Sequence, residues 1–136
     1  MYSTEIFKLY ALTALVFFAV DLLWLGVIAK GFYQEHLGHL MRPDVIWGAA
    51  LLFYSIFIAG VLVFSVLPGL EAQSLTYSIA LGAFLGLVTY ATFDLTCLAM
   101  LKEFPVVVVY VDLAWGIALT AGVSASGYGI GKWLGL

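Results

Sequence analysis

Charged residues are scarce in this 136-residue chain, where Asp, Glu, Lys and Arg together make up 10%. An ordinary soluble domain carries about 25% of them, so this sequence cannot cover a globular surface with groups that water solvates. Hydrophobic residues make up 65% of the chain and fall in long uninterrupted runs, a pattern typical of membrane spans. We therefore expect a single integral membrane domain whose main partner is the lipid bilayer.

Cysteine and basic residues are also rare. Cys97 is the only cysteine, which excludes an intrachain disulfide and a site with several cysteine ligands. The five Lys and Arg residues form no basic run and do not alternate with aromatic residues, as binding to a phosphate backbone would require. Nucleic acid is therefore not an expected partner, and no motif in the sequence identifies a cofactor.

The apolar runs predict an all-α, polytopic bundle of four transmembrane helices, over residues 6–29, 45–67, 74–101 and 106–131. The first run exceeds the apolar region of a signal peptide, about 7–15 residues, so we expect a retained helix. Pro43 and Asp44 favour the start of the second helix. Pro68 with Gly69 is expected to end it, and Ser74 is a candidate N-cap for the third.

The first connection, residues 30–44, is the most hydrophilic part of the chain. Its apolar residues recur at spacings near three and four, which indicates a short helix lying on the membrane. We interpret His36, His39 and Asp44 as interfacial groups and predict no metal site, because the order Glu-His-x-x-His differs from the zinc motif His-Glu-x-x-His. Five aromatic residues fit the belts at the membrane interfaces: Tyr33, Trp47, Tyr77, Tyr110 and Trp133.

Four crossings place both termini on one side of the membrane, which we call the terminal side. The first and third connections lie on the other, the connection side. The few Lys and Arg divide between the two sides, so charge leaves the orientation open. Two motifs match in residue type and spacing: Asp44-x-x-Trp47-Gly48 and Asp112-x-x-Trp115-Gly116. They favour two helical hairpins descended from one, with a chance match as the alternative.

Three aspartates, Asp21, Asp94 and Asp112, lie inside the predicted spans, each about 10–14 Å from a helix end. Because successive helices run in opposite directions, all three lie towards the connection side. An ionised Asp at the centre of a span costs about 2.5–3.5 kcal/mol, and every Lys and Arg lies near a predicted helix end. Either the carboxyl groups are protonated, or an external cation (a proton relay, metal ion or positively charged solute) occupies the cluster.

Neighbouring donors complete the predicted polar intramembrane site. Trp24, Tyr90 and Trp115 carry N–H and O–H groups that can donate to a carboxylate, although such hydrogen bonds can also serve only to fix the bundle. Two stripes at i+4 spacing predict helix–helix contact faces and end at an Asp: Gly82, Gly86, Tyr90 and Asp94 on the third helix, and Asp112, Gly116, Thr120 and Ser124 on the fourth.

Four segments carry a resemblance to a known family: Asp21-Leu22-Leu23-Trp24-Leu25-Gly26, Phe53-Tyr54, Tyr90-Ala91-Thr92-Phe93-Asp94-Leu95-Thr96 and Asp112-Leu113-Ala114-Trp115-Gly116. The chain resembles the bacterial predicted membrane proteins grouped as domain of unknown function 2177. The resemblance covers all four predicted helices and implies a bacterial inner membrane, with termini facing the cytoplasm. It implies no activity. This chain has Cys97 where the family pattern has Asn.

Three functions from different classes remain open. The sequence favours a small proton- or cation-linked transporter or solute-binding bundle with the three aspartates as its polar site. Four helices are few for a permeation path, so transport would call for a homo-oligomer. The first alternative is an accessory or structural subunit whose Asp, Trp and Gly only define packing. The second is a membrane enzyme acting on a lipid or isoprenoid, for which neither a nucleophile nor a complete ligand set is visible.

Overall fold

The computed structural model describes residues 2–136, and over this part of the chain it contains helices and turns but no strand. Four helices are long and apolar enough to cross a membrane, and we refer to them as the first to fourth transmembrane helices: Ser3–Ile28, Trp47–Ala72, Leu75–Met100 and Val106–Trp133. The predicted all-α fold with four membrane-spanning helices is confirmed.

The first transmembrane helix changes its winding near its end. It is α-helical over Tyr2–Leu23 and widens into a π-helical turn over Trp24–Ile28. The N–H of Ala29 closes this turn by donating to the carbonyl oxygen of Trp24, five residues back, over 2.7 Å. The chain leaves the helix at Ala29 and enters a short connecting helix, Lys30–Leu37, followed by one 3-10 turn. The short helix predicted in the first connection is therefore present.

The connecting helix packs against the start of the fourth transmembrane helix. Phe32, Tyr33 and Leu37 contact an apolar cluster around Phe104 and Val108, both of which are buried. This contact turns Tyr33 towards the interior of the bundle, where its hydroxyl group finds a partner. The prediction that Tyr33 belongs to an interfacial aromatic belt is therefore wrong, because the connecting helix folds back onto the bundle.

The second transmembrane helix continues through Pro68, so the prediction that Pro68 and Gly69 end it is wrong. A π-helical turn over Leu62–Val66 precedes the proline, and the α-helix resumes over Leu67–Ala72. Proline lacks an N–H and clashes with the carbonyl four residues earlier. A local π turn and serines of neighbouring helices can satisfy the freed carbonyl groups. Next to the proline, the Ser78 hydroxyl donates to the carbonyl of Ser65, three residues before Pro68, over 2.9 Å.

Two predicted helix starts have different outcomes. The second transmembrane helix begins at Trp47 with Ile46 as its N-cap, so Asp44 lies outside the helix and does not cap it. The third begins after Ser74, whose hydroxyl oxygen accepts a hydrogen bond from the N–H of Tyr77 over 3.1 Å. The N-cap predicted at Ser74 is therefore confirmed.

The two small-residue stripes of the third and fourth helices face one another. A Cβ atom at Gly86 would overlap the carbonyl oxygen of Gly116, and one at Gly82 would overlap the hydroxyl of Ser124. A Cβ atom at Gly116 would overlap the ring of Tyr90. The predicted contact faces are therefore confirmed. Glycine has no side chain, so it lets the two helix backbones approach more closely than any other residue does.

The bundle is most closely packed in its half on the terminal side. Ser65, Ser78 and Ser124, one from each of three helices, are fully buried there, and the hydroxyl oxygens of Ser65 and Ser124 lie 2.6 Å apart. Towards the connection side the second and third helices diverge. The last part of the second helix packs on the third, whereas its first part packs on the first helix. This divergence leaves a space beside the aspartates.

Candidate functional site

Asp21 is buried near the end of the first transmembrane helix and accepts two hydrogen bonds. The indole N–H of Trp115 donates to Oδ1 and the hydroxyl of Tyr54 donates to Oδ2, each over 3.3 Å. The first comes from the fourth helix and the second from the second helix. Asp21 therefore links three helices, and both of its oxygens already have a donor.

Asp112 receives a hydrogen bond from the connecting helix. The hydroxyl of Tyr33 donates to Asp112 Oδ1 over 2.8 Å, and the indole N–H of Trp24 donates to the Tyr33 oxygen over 3.2 Å. Trp24 in turn stacks on Trp115, with ring centroids 4.3 Å apart and planes 6° from parallel. The stacked rings of Trp24 and Trp115 therefore connect the two aspartates: Trp24 donates to Tyr33, which donates to Asp112, and Trp115 donates to Asp21.

The environment of Tyr33 keeps its phenol protonated. Burial is the largest cause that raises the pKa of Tyr33 above its ordinary value, and the carboxyl groups of Asp112 and Asp94 add to it. The hydrogen bond from Trp24 acts in the opposite direction but is the smaller effect. Tyr33 is therefore available as a donor to Asp112 throughout the neutral pH range.

Asp94 is the most buried of the three aspartates, with no exposed surface. No N–H or O–H group of a described residue donates to either of its oxygens. Its carboxyl group instead meets that of Asp112, at hydrogen-bonding range across the interface of the third and fourth helices. Two ionised carboxylates only accept hydrogen bonds, so this contact is a hydrogen bond only when at least one of them carries a proton.

A cavity of about 440 Å³ lies beside these groups, with Asp21 and Asp112 in its wall. Leu25 and Thr89 complete the non-aromatic part of the wall, and among the lining residues, all of them described, there is no Lys, Arg or His. The remaining lining residues are aromatic: Tyr33, Phe53, Tyr54, Phe57, Tyr90, Phe93 and Trp115. The cavity can therefore hold a molecule of moderate size, in a largely aromatic lining that includes two carboxyl groups.

The comparison with protein families gives one match, to the model described as predicted membrane protein (DUF2177), over residues 6–129. The chain belongs to this family. Its four apolar helices and this membership make it a multi-pass membrane protein. Neither the curated proteins nor the solved structures contain a match. The site of this DUF2177 protein is therefore interpreted from its own residues.

The structure gathers the six residues of the predicted intramembrane site into one region of this family member. Asp21, Tyr90, Asp112 and Trp115 line the cavity. The remaining two lie directly behind the wall: Trp24 stacks on Trp115 and Asp94 meets Asp112.

The residues predicted as interfacial lie outside the cavity wall. Asp44 is exposed in the segment between the 3-10 turn and the second helix. A ring nitrogen of His36, Nδ1, lies 2.9 Å from the carbonyl oxygen of Phe32, and Nε2 of His39 lies 3.1 Å from that of Glu103. Both imidazoles thus contact backbone carbonyl groups, and within residues 2–136 no three His, Cys, Asp or Glu side chains are grouped to hold a metal ion.

The sequence pattern predicts no role in the site for Tyr33 or for the aromatic residues of the second helix that line the cavity. Tyr54 and Phe57 stand in a uniformly apolar helix, whose composition does not indicate which face turns inward. The signal for Tyr54 was its place in a segment that the DUF2177 resemblance singled out. For Tyr33 the signal is the apolar face that it shares with Phe32 and Leu37. Such a face packs either on lipid or on the bundle, and here it packs on the bundle.

Proposed function

We propose that this protein binds a monovalent cationic solute in the cavity between its transmembrane helices and exchanges it for a proton, with Asp112 as the charged partner. The observation that carries this proposal is a cavity of about 440 Å³ with two carboxyl groups in its wall and no basic side chain among its described lining residues. An ionised carboxylate within a membrane is costly. Either a proton or a cation removes that cost, so the two compete for the site.

The proton balance of the exchange rests on Asp94 and Asp112. Carboxyl groups in contact cannot both be ionised at low cost, and an ionised carboxylate within the membrane is costly when no cation lies beside it, so we place a proton on each when no cation is present. When a cation binds, the proton of Asp112 leaves to water and the net charge of the site is unchanged. Asp94 keeps its proton and donates to the new carboxylate, as Tyr33 does. The other titratable groups nearby are Asp21 and Tyr90, beside Asp112, and Cys97, beside Asp94.

The isolation of Asp94 from donors supports this role over a purely structural one. Buried polar atoms in proteins almost always have a hydrogen-bond partner. Asp21 fits that rule, because indole and phenol groups donate to both of its oxygens. Asp94 is as deeply buried, yet no N–H or O–H group of a described residue donates to it, and its carboxyl group meets that of Asp112. If Asp94 is protonated, it donates to Asp112 itself, which explains why no other group donates to Asp94.

We also propose a bacterial inner membrane as the location and a homo-oligomer as the form that would transport a solute. The family resemblance supports the location. The small number of helices supports the oligomer, because a path through the bilayer needs walls on every side. Native mass spectrometry of the protein released from lipid nanodiscs tests the second point: a mass of one chain at every protein-to-lipid ratio would contradict it.

Proton release on cation binding tests the proposed exchange. The purified protein in lipid nanodiscs, in weakly buffered solution near pH 7, is mixed in turn with chlorides of sodium, potassium, guanidinium and benzyltrimethylammonium. A pH-indicator dye reports the protons released. We expect about one proton per bound cation for at least one of these salts, and a lower apparent affinity as the pH falls, because protons compete for Asp112.

Two variants test whether the proton release comes from the cavity or from a carboxylate elsewhere in the protein. Asp112→Asn should abolish the proton release, whereas Asp44→Asn, which removes an exposed carboxylate outside the cavity, should leave it unchanged. Circular dichroism and gel filtration check that both variants fold. The proposal is rejected if none of the four cations releases protons, or if the release is the same in Asp112→Asn.

A further inference from the structure

We infer that the ligand of this cavity is a hydrophobic organic cation, such as a quaternary or aryl-substituted ammonium, which reaches the site from the bilayer between the second and third transmembrane helices. This inference rests on the proposed function and adds the chemical class of the solute and its route. Four observations support it: the aromatic wall, the limited supply of free oxygen ligands, the size of the cavity and the position of the opening.

Seven of the eleven residues that line the cavity are aromatic. The face of an aromatic ring carries negative charge density and attracts cations, and sites for quaternary ammonium groups are commonly built from several such rings. Here the rings of Tyr54, Tyr90 and Trp115 stand beside Asp21 and Asp112 in one wall. A cation with apolar substituents would satisfy both parts of the wall, with its charge near Asp112 and its substituents on the rings.

Small inorganic cations fit the same wall poorly. An ion that leaves water needs several oxygen atoms to replace its hydration shell. Each oxygen of Asp21 already accepts one hydrogen bond, as does Oδ1 of Asp112, so fewer lone pairs remain for an ion. No group of three His, Cys, Asp or Glu side chains in residues 2–136 is arranged for a metal ion. An organic cation needs fewer oxygen ligands than a metal ion does, because its own substituents already shield the charge.

The size of the cavity agrees with an organic ligand. Pockets for small molecules have volumes of about 300–1,000 Å³, and this one has about 440 Å³. A dehydrated sodium or potassium ion would leave most of that space unfilled. Water would have to fill the remainder against a largely aromatic wall, where few polar groups are free to bind it.

Two exposed rings mark the open side of the cavity. Phe53 of the second helix is 54% exposed and Phe93 of the third is 60% exposed, and both line the cavity. Phe93 precedes Asp94 in the chain and therefore lies at the same depth in the membrane. At that depth an exposed ring faces lipid rather than water. The opening thus faces the bilayer. A hydrophobic cation can dissolve in the bilayer and reach the cavity from there.

A matched pair of probes tests the inference on the unmodified protein. Benzyltrimethylammonium and neopentylbenzene have the same shape, but a quaternary carbon replaces the charged nitrogen in the second. Binding to the protein in nanodiscs is measured by equilibrium dialysis against empty nanodiscs, which corrects for partition into lipid. We expect the cation to bind about ten-fold or more tightly than the hydrocarbon, a preference that Asp112→Asn should abolish.

Two ring substitutions test the aromatic wall. Phe93→Leu should weaken binding of benzyltrimethylammonium about two- to five-fold, the range of one exposed cation–π contact. Phe84→Leu is the matched control, because Phe84 is 65% exposed on the same helix and lies outside the cavity wall. Equal loss in both variants, or no loss in either, would overturn the aromatic part of the inference.

The remaining outcomes separate the inference from the proposed function. Proton release that depends on Asp112 but occurs only with sodium, potassium or guanidinium would overturn the inference and leave the proposed exchange standing. Equal binding of the two matched probes, in the unmodified protein and in Asp112→Asn alike, would overturn the inference, and would overturn the exchange as well if none of the four cations released a proton. The absence of binding and of proton release with every probe would also overturn both.

Discussion

The carboxyl groups of Asp94 and Asp112 meet across the interface between the third and fourth transmembrane helices, and Asp94 has no other polar partner among residues 2–136. This pair sits behind a cavity in which Asp112 is exposed to a bound molecule and Asp94 is not. The two residues therefore have different expected roles, one as the partner of the cation and one as a donor to that partner.

Substitutions at Asp94 should separate donation from charge. In Asp94→Asn the amide N–H₂ can still donate to the Asp112 carboxylate, so we expect the affinity for benzyltrimethylammonium to change little. Asp94→Leu keeps the branched shape but loses the donor, and the loss of a hydrogen bond to a charged group should weaken binding about ten-fold or more. Equilibrium dialysis at pH 8 measures both, and equal affinities in the two variants would contradict the donor role.

Tyr33→Phe should remove the second donor to Asp112 and weaken binding of the same probe. Because burial raises the pKa of Tyr33, its hydrogen bond should persist through the ordinary tyrosine value of 10.0 and be lost only at a higher pH. The absorbance of tyrosinate at pH 10 should therefore be nearly the same in the unmodified protein and in Tyr33→Phe. A difference of about half a tyrosinate, which a pKa of 10.0 would give at this pH, would contradict the burial of Tyr33. Tyr110→Phe, at a 70% exposed position outside the cavity wall, is the control for affinity.

The glycine contact of the third and fourth helices should be sensitive to one added methyl group. Gly86→Ala places a Cβ against the carbonyl of Gly116, and we expect a loss of about 1–3 kcal/mol in the free energy of unfolding. Gly122→Ala, on the fourth helix, meets no atom within 4 Å and should be neutral or slightly stabilising. Unfolding in sodium dodecyl sulfate, followed by circular dichroism, compares the two; equal stabilities would disprove the close approach.

The serine that supports the proline-containing helix should also contribute to stability. Ser78→Ala removes the hydroxyl that donates to the carbonyl of Ser65, and we expect a loss of about 1 kcal/mol, within the range measured for hydrogen bonds between membrane helices. In Ser126→Ala the hydrogen bond lost is a local one, to the carbonyl of Gly122 one turn earlier. The same unfolding assay should therefore detect a smaller loss for Ser126→Ala, and a larger one would contradict the supporting role of Ser78.

Some features of the fold and the site could be predicted because they depend on local pattern. A run of about twenty apolar residues is expected to form a helix in a membrane, since a single segment can satisfy its own backbone hydrogen bonds only as a helix. The i+4 spacing of Gly82, Gly86 and Tyr90 places them on one face whatever that face meets. The aspartates lie on one side because successive helices run in opposite directions. These predictions need no knowledge of how the helices pack.

Other features depend on packing and could not be predicted from the chain alone. Pro68 would stop an isolated helix, but Ser78 and a π turn satisfy the backbone around it. Tyr33 and Asp112 are 79 residues apart and meet only because the connecting helix folds back.

The sequence by itself thus determined that this is a four-helix membrane protein with three acidic groups at a similar depth. Long apolar runs and unpaired carboxyl groups suffice for that. The tertiary structure decided that Asp94 and Asp112 form a pair and that Asp21 has its own donors. It also formed the aromatic wall around the cavity. The reason is geometric: the rotation and divergence of helices bring side chains together, and periodicity specifies neither.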